Sequence, residues 1–497
     1  MNAIINGKNV TFEAGENILA VAKRNGFFIP SLCAFMPLDH KPGVCRVCLV
    51  ECTPPSGSTC IVPACVTPLE EGMRVETATA AVRARQRMQV ELLLFEHRLS
   101  CESCSRLGSC ELQSLREALG MDALCPAPQG RTGVATTAGP LVRDMDKCVR
   151  CLRCVTMCRN RGVSALRADS SGREEQIIEF TQSACIRCGQ CVRVCPVGAL
   201  SERDESASAL DMLSAPDLFT VAVFSASISG ALKGVFSSLS CTEPEGRLAA
   251  ALRHLGADAV ISADFAPAIL AANVSTDLAE RLATGNVLPL FSASCPAWVN
   301  YAEQKLPALS PQLCSARTPQ MLSVVLNKGK MAAYYGVPEE KLRILLLSPC
   351  TAMKEAPGFD AVLSARALFR LMNIGGICLD TVTPEAFDPF PVSEEPLPPA
   401  GEYGEISGAV LLKLGAQIRN QVQTSLPEGG RIVETEALLG SNVIRTALCF
   451  SCADAAILAS QATDSPYAFI EVLACRGGCP DGGGAAEISE DTPCRTK

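Results

Sequence analysis

A repeated cysteine pattern constrains the fold of this chain more than any other feature. The sequence "CVRCLRCVTMC" occupies residues 148–158, and "CIRCGQCVRVC" occupies 185–195 with proline behind it. Both units have the spacing C-x2-C-x2-C-x3-C, in which three thiolates hold one 4Fe–4S cube and the fourth reaches the other cube. Zinc is the alternative for any C-x-x-C pair, but two complete units disfavour it. The repeat therefore predicts two cubes, one on Cys148, Cys151, Cys154 and Cys195 and the other on Cys185, Cys188, Cys191 and Cys158.

Cysteine use across the chain bounds the class of protein. The 497 residues contain 28 Cys but only 3 His, and 18 of the cysteines fall within residues 1–205. A chain of this length can form several domains with cores that need no disulfides, and disulfide scaffolds are normally short. The N-terminus shows no signal-peptide pattern, and no long apolar run predicts a membrane span. We expect a cytoplasmic protein whose thiols bind metal, and the net charge of −8 gives no support for nucleic-acid binding.

Three cysteines near the N-terminus have the spacing C-x11-C-x2-C: Cys33, Cys45 and Cys48. The candidates for a fourth ligand are Cys52, Cys60 and Cys65, of which Cys52 is too near Cys48 to close the loop comfortably. The preceding "IINGKNVTFEAGENILAVAKRNG" predicts a hairpin and a helix, as in a β-grasp ferredoxin. The segment "PACVTPLEEGM" resembles the one that carries the last ligand in 2Fe–2S domains of hydrogenases and complex I. That resemblance selects Cys65, with Cys60 as the second choice.

A histidine stands at metal-binding spacing before the next group of cysteines. The sequence "HRLSCESCSRLGSC" gives H-x3-C-x2-C-x5-C, which predicts a 4Fe–4S cluster on His97, Cys101, Cys104 and Cys110. Replacing one thiolate by a neutral imidazole removes a negative charge and tends to raise the potential of a cluster.

The second half alternates apolar runs with helical stretches. The runs 219–227, 257–265, 287–294, 342–348 and 468–474 predict strands, and "DLAERLA" and "AALRHLG" predict helices, which is typical of α/β layers with largely parallel strands. Three runs end at or just before Cys295, Cys350 and Cys475, and Cys479 follows. Because ligands bind beyond the carboxyl ends of such strands, these thiols predict a four-thiolate site. Residues 202–217 are predicted to be a linker, and the proline-rich residues 384–401 a surface loop or lid.

Family resemblances extend these predictions. Residues 148–195 resemble a bacterial two-cluster ferredoxin, and residues 1–205 resemble the accessory half shared by iron-only (FeFe) hydrogenases, the large peripheral subunit of complex I and some formate dehydrogenases. Residues 219–497 resemble the hydrogen-activating domain of FeFe hydrogenases through "SASCPAW", "SPCTAMKEA" and "EVLACRGGCPDGGG". The resemblance implies that Cys295, Cys350, Cys475 and Cys479 hold the cube of the active-site cluster.

The expected fold class is therefore α+β multidomain. The units are a β-grasp 2Fe–2S domain (1–78), a helical His-ligated 4Fe–4S domain (79–125), a two-4Fe–4S ferredoxin domain (138–205) and a two-lobed α/β FeFe-hydrogenase-like domain (218–497).

The residues that serve the dinuclear iron unit in the family do not match. Ser294 stands where the family has its proton-relay cysteine, and a hydroxyl is a far weaker acid than a thiol. Met353 replaces the lysine that pairs with a cyanide ligand, and Lys354, one residue later, is expected to point elsewhere. Ala356 replaces a glutamate. A buried anionic unit without its donors should bind badly, so we expect no functional dinuclear site and leave the catalytic residues unassigned.

The expected function is that of an iron–sulfur electron-transfer subunit of an oxidoreductase complex, with one 2Fe–2S and four 4Fe–4S clusters. The resemblance implies as partners a flavin- and NADH-binding iron–sulfur subunit, a thioredoxin-like 2Fe–2S subunit, ferredoxin, and a formate dehydrogenase or another reductase, with electron bifurcation at the flavin. The alternatives are an active FeFe hydrogenase and a sensory or iron–sulfur scaffold protein. The remaining thiols are interpreted as inert: Cys125, Cys241, Cys314, Cys378, Cys449, Cys452 and Cys494. For Cys449 and Cys452, at C-x-x-C spacing, a redox pair or a partial metal site is the alternative.

Overall fold

A computed structural model describes residues 1–121, 135–169, 177–225, 227–232, 243–285, 287–316, 318–390, 405–426, 430–461 and 465–486. These residues form five β-sheets with helices packed around them. No helix within these ranges is long and apolar enough to cross a membrane.

The N-terminal unit is a five-stranded sheet with one helix against it. Its elements are β1 (Asn2–Ile5), β2 (Lys8–Thr11), α1 (Ile18–Arg24), β3 (Leu49–Thr53), β4 (Cys60–Pro63) and β5 (Arg74–Glu76). The strand order is β2-β1-β5-β3-β4, and only β1 and β5 are parallel neighbours. Asn17 caps α1 by accepting a hydrogen bond from the amide of Ala20 at 2.8 Å, which satisfies an otherwise free donor. The predicted hairpin and helix are both present.

Four helices and two small sheets follow within the described residues. The elements are α2 (Ala80–Glu96), α3 (Glu111–Ala118), β6 (Thr136–Ala138), β7 (Leu141–Arg143), α4 (Arg153–Asn160), β8 (Leu166–Asp169), β9 (Ile177–Phe180), α5 (Gln190–Arg193) and β10 (Leu200–Glu202). One sheet has the order β10-β7-β6, and β8 pairs with β9. Helices α4 and α5 each begin one residue before the third cysteine of their repeat unit, so the sequence repeat is also a structural repeat.

The prediction of a linker over residues 202–217 was wrong. Residues Ser206–Ser214 form helix α6, and its apolar positions Ala209 and Leu213 are 0% and 6% exposed in the core of the next domain. Before it, Glu202 is buried and accepts a 2.7 Å hydrogen bond from Ser364. Few apolar residues are needed here because those at i and i+4 share one helix face. The polar composition therefore hid a packed segment.

The hydrogenase-like half contains the remaining elements. In chain order these are β11 (Phe219–Phe224), α7 (Pro244–His254), β12 (Ala259–Ser262), α8 (Ala266–Thr284), β13 (Leu290–Phe291), α9 (Pro296–Lys305), α10 (Pro319–Ser323), α11 (Lys328–Tyr335), β14 (Leu342–Leu347), β15 (Ala361–Leu363), α12 (Ala365–Ile374), α13 (Ser407–Lys413), β16 (Gln417–Ser425), β17 (Arg431–Leu439), β18 (Asn442–Cys449), α14 (Cys452–Ser460) and β19 (Phe469–Val472).

Two sheets organise this half. The first has the order β12-β11-β14-β15 and is parallel throughout. The second has the order β13-β19-β18-β17-β16, in which β13, β19 and β18 are parallel while β17 and β16 join as an antiparallel meander. All five predicted strands are present, whereas the sequence analysis missed β15, β16, β17 and β18. Strand β16 is almost entirely exposed, so it lacks the apolar run on which strand prediction depends.

The described part of the proline-rich segment lies against the first sheet. The amide of Val260 donates to the carboxylate of Asp388 at 2.7 Å, and the ring of Phe390 packs on Phe265 with centroids 4.2 Å apart. Residues 384–390 thus form an ordered surface loop, as expected. Residues 391–401 of that prediction lie outside the described residues.

The second unit of the cysteine repeat packs directly on the hydrogenase-like half. Gly189 has φ +68° and faces Gly483 so closely that a Cβ on Gly483 would lie 2.6 Å from the Cα of Gly189. The amide side chain of Gln190 donates to the carbonyl of Asp481 at 2.8 Å, and Arg193 Nε donates to its carboxylate at 3.0 Å. The backbones of Gly189 and Gly483 are thus in direct contact at this junction, and hydrogen bonds to Asp481 lie beside them.

We expect Gly483→Ala to destabilise this junction because its methyl group has no room against Gly189. Overpacking of this kind costs about 1–3 kcal/mol. The control is Gly408→Ala in α13, where no atom lies within 4 Å of a new Cβ and where alanine favours the helix. Thermal unfolding midpoints should fall for the first variant and stay level or rise for the second. Equal midpoints for both variants would contradict the close backbone contact.

Candidate functional site: the cysteine clusters

The two repeat units adopt the same loop conformation. The backbone is left-handed at the same two positions of each unit: Arg150, Leu152, Arg187 and Gly189. The loop turns the amide of Arg150 toward the sulfur of Cys148 and the amide of Arg187 toward the sulfur of Cys185, each at 3.4 Å. Amide donors of this kind stabilise negative charge on sulfur, and hydrogen bonds to sulfur help set the potential of a cluster.

The thiols of the repeat gather into the two crossed sets that the spacing predicts. The four thiols of the first set line one pocket together: Cys148, Cys151, Cys154 and Cys195. In the second set, burial raises the pKa of Cys191 well above its ordinary value, and Cys188, Cys185 and Cys158 raise it further because they lie nearby. The fourth cysteine of each unit therefore lies with the first three of the other unit.

The N-terminal thiols separate into a group of four and a pair. The amide of Cys33 points at the sulfur of Cys45 at 3.4 Å. The thiol of Cys65 contacts those of Cys33 and Cys48. In contrast, Cys52 and Cys60 face each other across β3 and β4 with their sulfurs 3.4 Å apart. The structure therefore places Cys65, and neither Cys52 nor Cys60, beside the first three cysteines.

The module around His97 lies between α2 and α3. His97 follows the last residue of α2, and its Nδ1 lies 2.9 Å from the carbonyl of Lys147. Burial lowers the pKa of His97, which favours a neutral imidazole, and a carbonyl on Nδ1 leaves Nε2 for a metal. Burial raises the pKa of Cys110, and Cys104 and Cys101 add to the effect. Cys104 also packs against Gly198, beside the first ferredoxin set.

Four thiols converge at the carboxyl ends of strands in the hydrogenase-like half. Burial raises the pKa of Cys475 well above its ordinary value, with further contributions from Cys295, Cys350 and Cys479. Cys295 precedes α9, and the amides of Ala297, Trp298 and Ala474 donate toward its thiol. The structure thus brings these four thiols together, and their role as cluster ligands stays a prediction.

The positions that depart from the family pattern are occupied in other ways. Met353 is 2% exposed and packs in an apolar cluster with Val223, Val324 and Leu346. Lys354 donates to the carbonyl of Val362, and its Nζ lies 3.6 Å from the carboxylate of Glu205. The side chain of Lys354 is therefore held by the first sheet and by Glu205, the residue before α6, as expected from its shifted position.

Ser294 differs from these positions because its polar atom is not used. The Oγ of Ser294 is buried, and it has no hydrogen-bond partner among the described residues. The neighbouring Cys295 has its thiol among amide donors. The hydroxyl therefore stands beside the four-thiolate site without being tied into the protein.

Two arginines with long-range contacts lie near the thiol sets, and the sequence analysis missed both of them. Arg153 is buried, and Arg161 is half-buried. Arg153 donates to the carbonyls of Cys33 at 3.4 Å and Ala34 at 3.1 Å, and it pairs with Glu111 at 2.6 Å. Arg161 donates to the carbonyl of Phe450 at 2.6 Å. No motif marks either residue, because each acts between segments more than 100 residues apart in sequence.

His40, which contacts the first repeat unit through both ring nitrogens, is another residue that the sequence analysis missed. His40 Nε2 lies 2.9 Å from the carbonyl of Cys151, and its Nδ1 lies 2.9 Å from the hydroxyl of Thr156. His40 therefore ties the N-terminal unit to the first ferredoxin loop. Its position between two cysteine motifs, within "PLDHKPG", was the available signal.

The thiol sets are adjacent to one another. Burial is the main cause of the raised pKa of Cys191 in the second ferredoxin set. Cys154 of the first set lies close enough to raise that pKa further. Cys188 contributes in the same way to the raised pKa of Cys475. The second ferredoxin set is therefore near both the first set and the C-terminal thiols.

The donor sets fit iron–sulfur clusters. A buried thiolate is unfavourable without a positive partner, so burial raises the pKa of the C-terminal thiols. Bound iron would supply that positive charge, since a coordinating thiol is deprotonated outright. Within the described residues, no group of three or more His, Cys, Asp or Glu side chains is arranged to hold a single metal ion.

The remaining cysteines have varied surroundings. Cys449 and Cys452 are fully buried in the core of the second sheet, Cys314 is buried, and Cys378 is exposed. Cys125, Cys241 and Cys494 lie outside the described residues.

These features define an oxidoreductase chain built for electron transfer, with 2Fe–2S and 4Fe–4S domains. Four family models match: a 2Fe–2S iron–sulfur cluster binding domain (2–80), the NADH-ubiquinone oxidoreductase-G iron–sulfur binding region (86–123), a 4Fe–4S dicluster domain (142–201) and the C-terminal domain of the iron-only hydrogenase large subunit (219–483). The chain belongs to the iron-only hydrogenase large-subunit family.

Known relatives match over nearly the whole chain. The NADP-reducing hydrogenase subunit HndD of Solidesulfovibrio fructosivorans is 30% identical, over 97% of this chain and 88% of the relative. Iron hydrogenase 1 of Clostridium pasteurianum is 28% identical, over 98% and 89%. The solved structure of the FeFe-hydrogenase HydA1 from Chlamydomonas reinhardtii shares the fold, with a TM-score of 0.50, 19% identity, and coverage of 58% of this chain and 86% of that one.

The arrangement of the N-terminal thiols leads to a direct test. Cys65→Ser should abolish the 2Fe–2S electron paramagnetic resonance signal or strongly change its g values, because it removes a thiol that contacts two others of the group. Cys60→Ser is the matched control and should leave the signal unchanged, since Cys60 contacts Cys52 instead. A signal lost in Cys60→Ser and kept in Cys65→Ser would reverse the assignment.

Proposed function

We propose that this chain is the hydrogenase-like electron-transfer subunit of a multisubunit oxidoreductase and has no functional dinuclear iron site. One 2Fe–2S cluster would be held by Cys33, Cys45, Cys48 and Cys65. Four 4Fe–4S clusters would be held by His97 with Cys101, Cys104 and Cys110; by Cys148, Cys151, Cys154 and Cys195; by Cys185, Cys188, Cys191 and Cys158; and by Cys295, Cys350, Cys475 and Cys479. The domain boundaries proposed for these units are 1–78, 79–125, 138–205 and 218–497.

The observation that carries the proposal is the side chain of Lys354. An anionic dinuclear unit bound beside Cys479 needs hydrogen-bond donors and positive charge, because burying a charge without them is costly. Lys354 is held by Glu205 and Val362, and Met353 contributes only an apolar side chain. The four thiols that would bind a cube lie together, whereas Met353 stands where the family has the lysine that pairs with a cyanide ligand.

The residues of the chain would tune and insulate electron transfer. Iron–sulfur clusters supply one-electron chemistry when bound. Amides in the repeat loops stabilise negative charge on sulfur, and apolar packing excludes water from the thiols. Arg153 lies beside Cys151 and Cys195 of the first ferredoxin set, but its positive charge is paired with the carboxylate of Glu111 at 2.6 Å. Unpaired positive charge near a cluster favours its reduced form.

Arg161 lies near Cys188 of the second ferredoxin set and near Cys475 of the C-terminal thiols. Burial lowers its pKa, while Cys188, Asp454, Cys452 and Cys475 act in the opposite direction. A cation at this place reduces the repulsion between negatively charged groups on both sides. It would therefore make electron passage into the C-terminal site less unfavourable.

The proposed partners follow from the relatives. The match to the NADH-ubiquinone oxidoreductase-G region and to a subunit of an NADP-reducing hydrogenase favours a multisubunit complex. We propose a flavin- and NADH-binding iron–sulfur subunit and a thioredoxin-like 2Fe–2S subunit as partners. A formate dehydrogenase or another reductase, and ferredoxin, would exchange electrons with this complex, with bifurcation at the flavin. We further propose a cytoplasmic location.

Two other functions are distinguishable from this one. The match to two hydrogenases over nearly the whole chain favours an active FeFe hydrogenase as the second candidate. A sensory or scaffold protein is a third, but the N-terminal 2Fe–2S domain and the adjacent thiol sets are better explained by transfer of electrons over a distance.

The proposed function can be tested on the complex purified anaerobically from its host. NADH should reduce the 4Fe–4S cluster of the C-terminal thiols within turnover time, while reduced dye should yield no H2. A Cys350→Ser variant assembled into the same complex should lose that one signal and keep the 2Fe–2S signal. Evolution of H2 would favour the second candidate, and a complex in which NADH reduces no cluster would support a scaffold.

The role of Arg161 gives a further prediction. Arg161→Gln should lower the midpoint potentials of the second ferredoxin cluster and the C-terminal cluster by roughly 50–100 mV, as expected for loss of one half-buried charge at an intermediate effective dielectric constant. Arg161→Lys keeps the charge and is the matched control, with potentials closer to the unmodified protein. Redox titration followed by electron paramagnetic resonance measures both. Unchanged potentials in Arg161→Gln would contradict an electrostatic role.

A further inference from the structure

The paired thiols of the N-terminal hairpin are not used by the proposed clusters. Cys52 on β3 and Cys60 on β4 are directly opposite residues of an antiparallel pair, with sulfurs 3.4 Å apart. They lie away from the cluster thiols, because Cys48 is four residues from Cys52 along an extended chain, or about 13 Å. The pair is therefore a separate dithiol at the outer part of the hairpin.

The backbone geometry suits a covalent bond between these two cysteines. Opposite residues of an antiparallel pair have Cα atoms about 4.5–5.5 Å apart, which lies within the range that disulfides require. The hairpin is also closed beyond them, since the hydroxyls of Thr53 and Thr59 lie 2.9 Å apart and the amide of Gly57 donates to the carbonyl of Pro54 at 2.9 Å. Bond formation would need a movement of the sulfurs but not of the strands.

The two thiols differ in access to solvent. Cys60 is exposed, whereas Cys52 is 3% exposed. Burial, and then the neighbouring Cys60, raise the pKa of Cys52 to about 12. An external disulfide can therefore reach Cys60 first, and Cys52 is positioned to act second.

We propose that Cys52 and Cys60 form a dithiol site that takes a disulfide as its substrate. The thiolate of Cys60 attacks one sulfur of the external disulfide, which releases one external thiolate and leaves a mixed disulfide on Cys60. Cys52 loses its proton to water as its sulfur attacks the sulfur of Cys60, and the second external thiolate leaves. The two cysteines are oxidised by two electrons, and the external disulfide is reduced to two thiolates, which take up from water the two protons that the cysteines have lost.

The consequence concerns the hairpin that supports the proposed 2Fe–2S cluster. Cys48 immediately precedes β3, and β4 leads to Cys65, so a bond between Cys52 and Cys60 would join the two strands that carry these ligands. Because both cysteines already face each other, the bond would hold the hairpin in its present arrangement. We expect the cluster to be retained. The site is independent of whether the chain acts as an electron-transfer subunit.

The test uses the full chain, purified without oxygen and with its 2Fe–2S signal present. The protein is incubated with oxidised glutathione or with an oxidised thioredoxin-fold protein, quenched in acid, alkylated and analysed by fragmentation mass spectrometry. We expect a Cys52–Cys60 bond with loss of two hydrogens, reversed by dithiothreitol, with the 2Fe–2S signal unchanged. Formation with the first reagent assigns a small-molecule disulfide as the substrate, and formation with only the second assigns a protein disulfide.

Variants separate the two steps. In Cys52→Ser, the glutathione adduct on Cys60 should persist at least about tenfold longer than in the unmodified protein, because the resolving thiol held beside it is gone. In Cys60→Ser, Cys52 should remain unmodified because it is buried. The exposed Cys378 reports the reactivity of a surface thiol and should form an adduct in every variant.

Three results would overturn the proposal. One is a glutathione adduct on Cys60 that is equally long-lived with and without Cys52. Another is the absence of a Cys52–Cys60 bond while Cys378 reacts. The third is a bond that forms only together with loss of the 2Fe–2S signal, which would mean that released ligands, and not a preformed pair, are reacting.

Discussion

Burial of cysteine sulfur away from water is the constraint on which the rest of the structure depends. A thiolate in such a place is stable only when hydrogen bonds and positive charge compensate it. The chain supplies amides from left-handed loop residues and from the first turns of helices, as at Cys148 and Cys295. It leaves the remaining charge to be balanced by iron. The loops that carry the thiols therefore determine where the domains meet.

The cysteine repeat joins the two halves of the molecule. Its first unit contacts the N-terminal domain through Arg153 and through His40, which lies against the carbonyl of Cys151. Its second unit packs on the hydrogenase-like half, where Gly189 meets Gly483. Each unit thus presents one thiol set to a different neighbour. Two equivalent loops thus connect unlike domains.

Much of this could be predicted from sequence because metal ligation leaves local patterns. The crossed sets of the repeat follow from spacing alone, and the strands that deliver Cys295, Cys350 and Cys475 have clear apolar runs. The choice of Cys65 needed a family resemblance, and the structure adds that Cys52 and Cys60 face each other instead. Spacing cannot show this, because it depends on the register of β3 and β4.

Other features were beyond the reach of local patterns. Helix α6 lies in a largely polar stretch of sequence, and it packs in the next domain through apolar residues such as Ala209 and Leu213. Strand β16 is exposed and has no apolar run. Arg153 occupies a variable position of the first repeat unit and Arg161 lies just after that unit, so the cysteine spacing marks neither of them. In each case a tertiary contact determines the structure, and the local sequence gives either no signal or a misleading one.

The C-terminal site keeps the four cysteines of the family pattern, whereas neighbouring positions such as Ser294 and Met353 depart from that pattern. Cys295, Cys350, Cys475 and Cys479 remain together, while Lys354 is directed to Glu205. The most direct test is the infrared spectrum of the protein produced together with a hydrogenase maturation system. The account predicts no bands from iron-bound carbon monoxide or cyanide, with the 4Fe–4S signal of the C-terminal site present. Such bands, accompanied by uptake of H2, would contradict it.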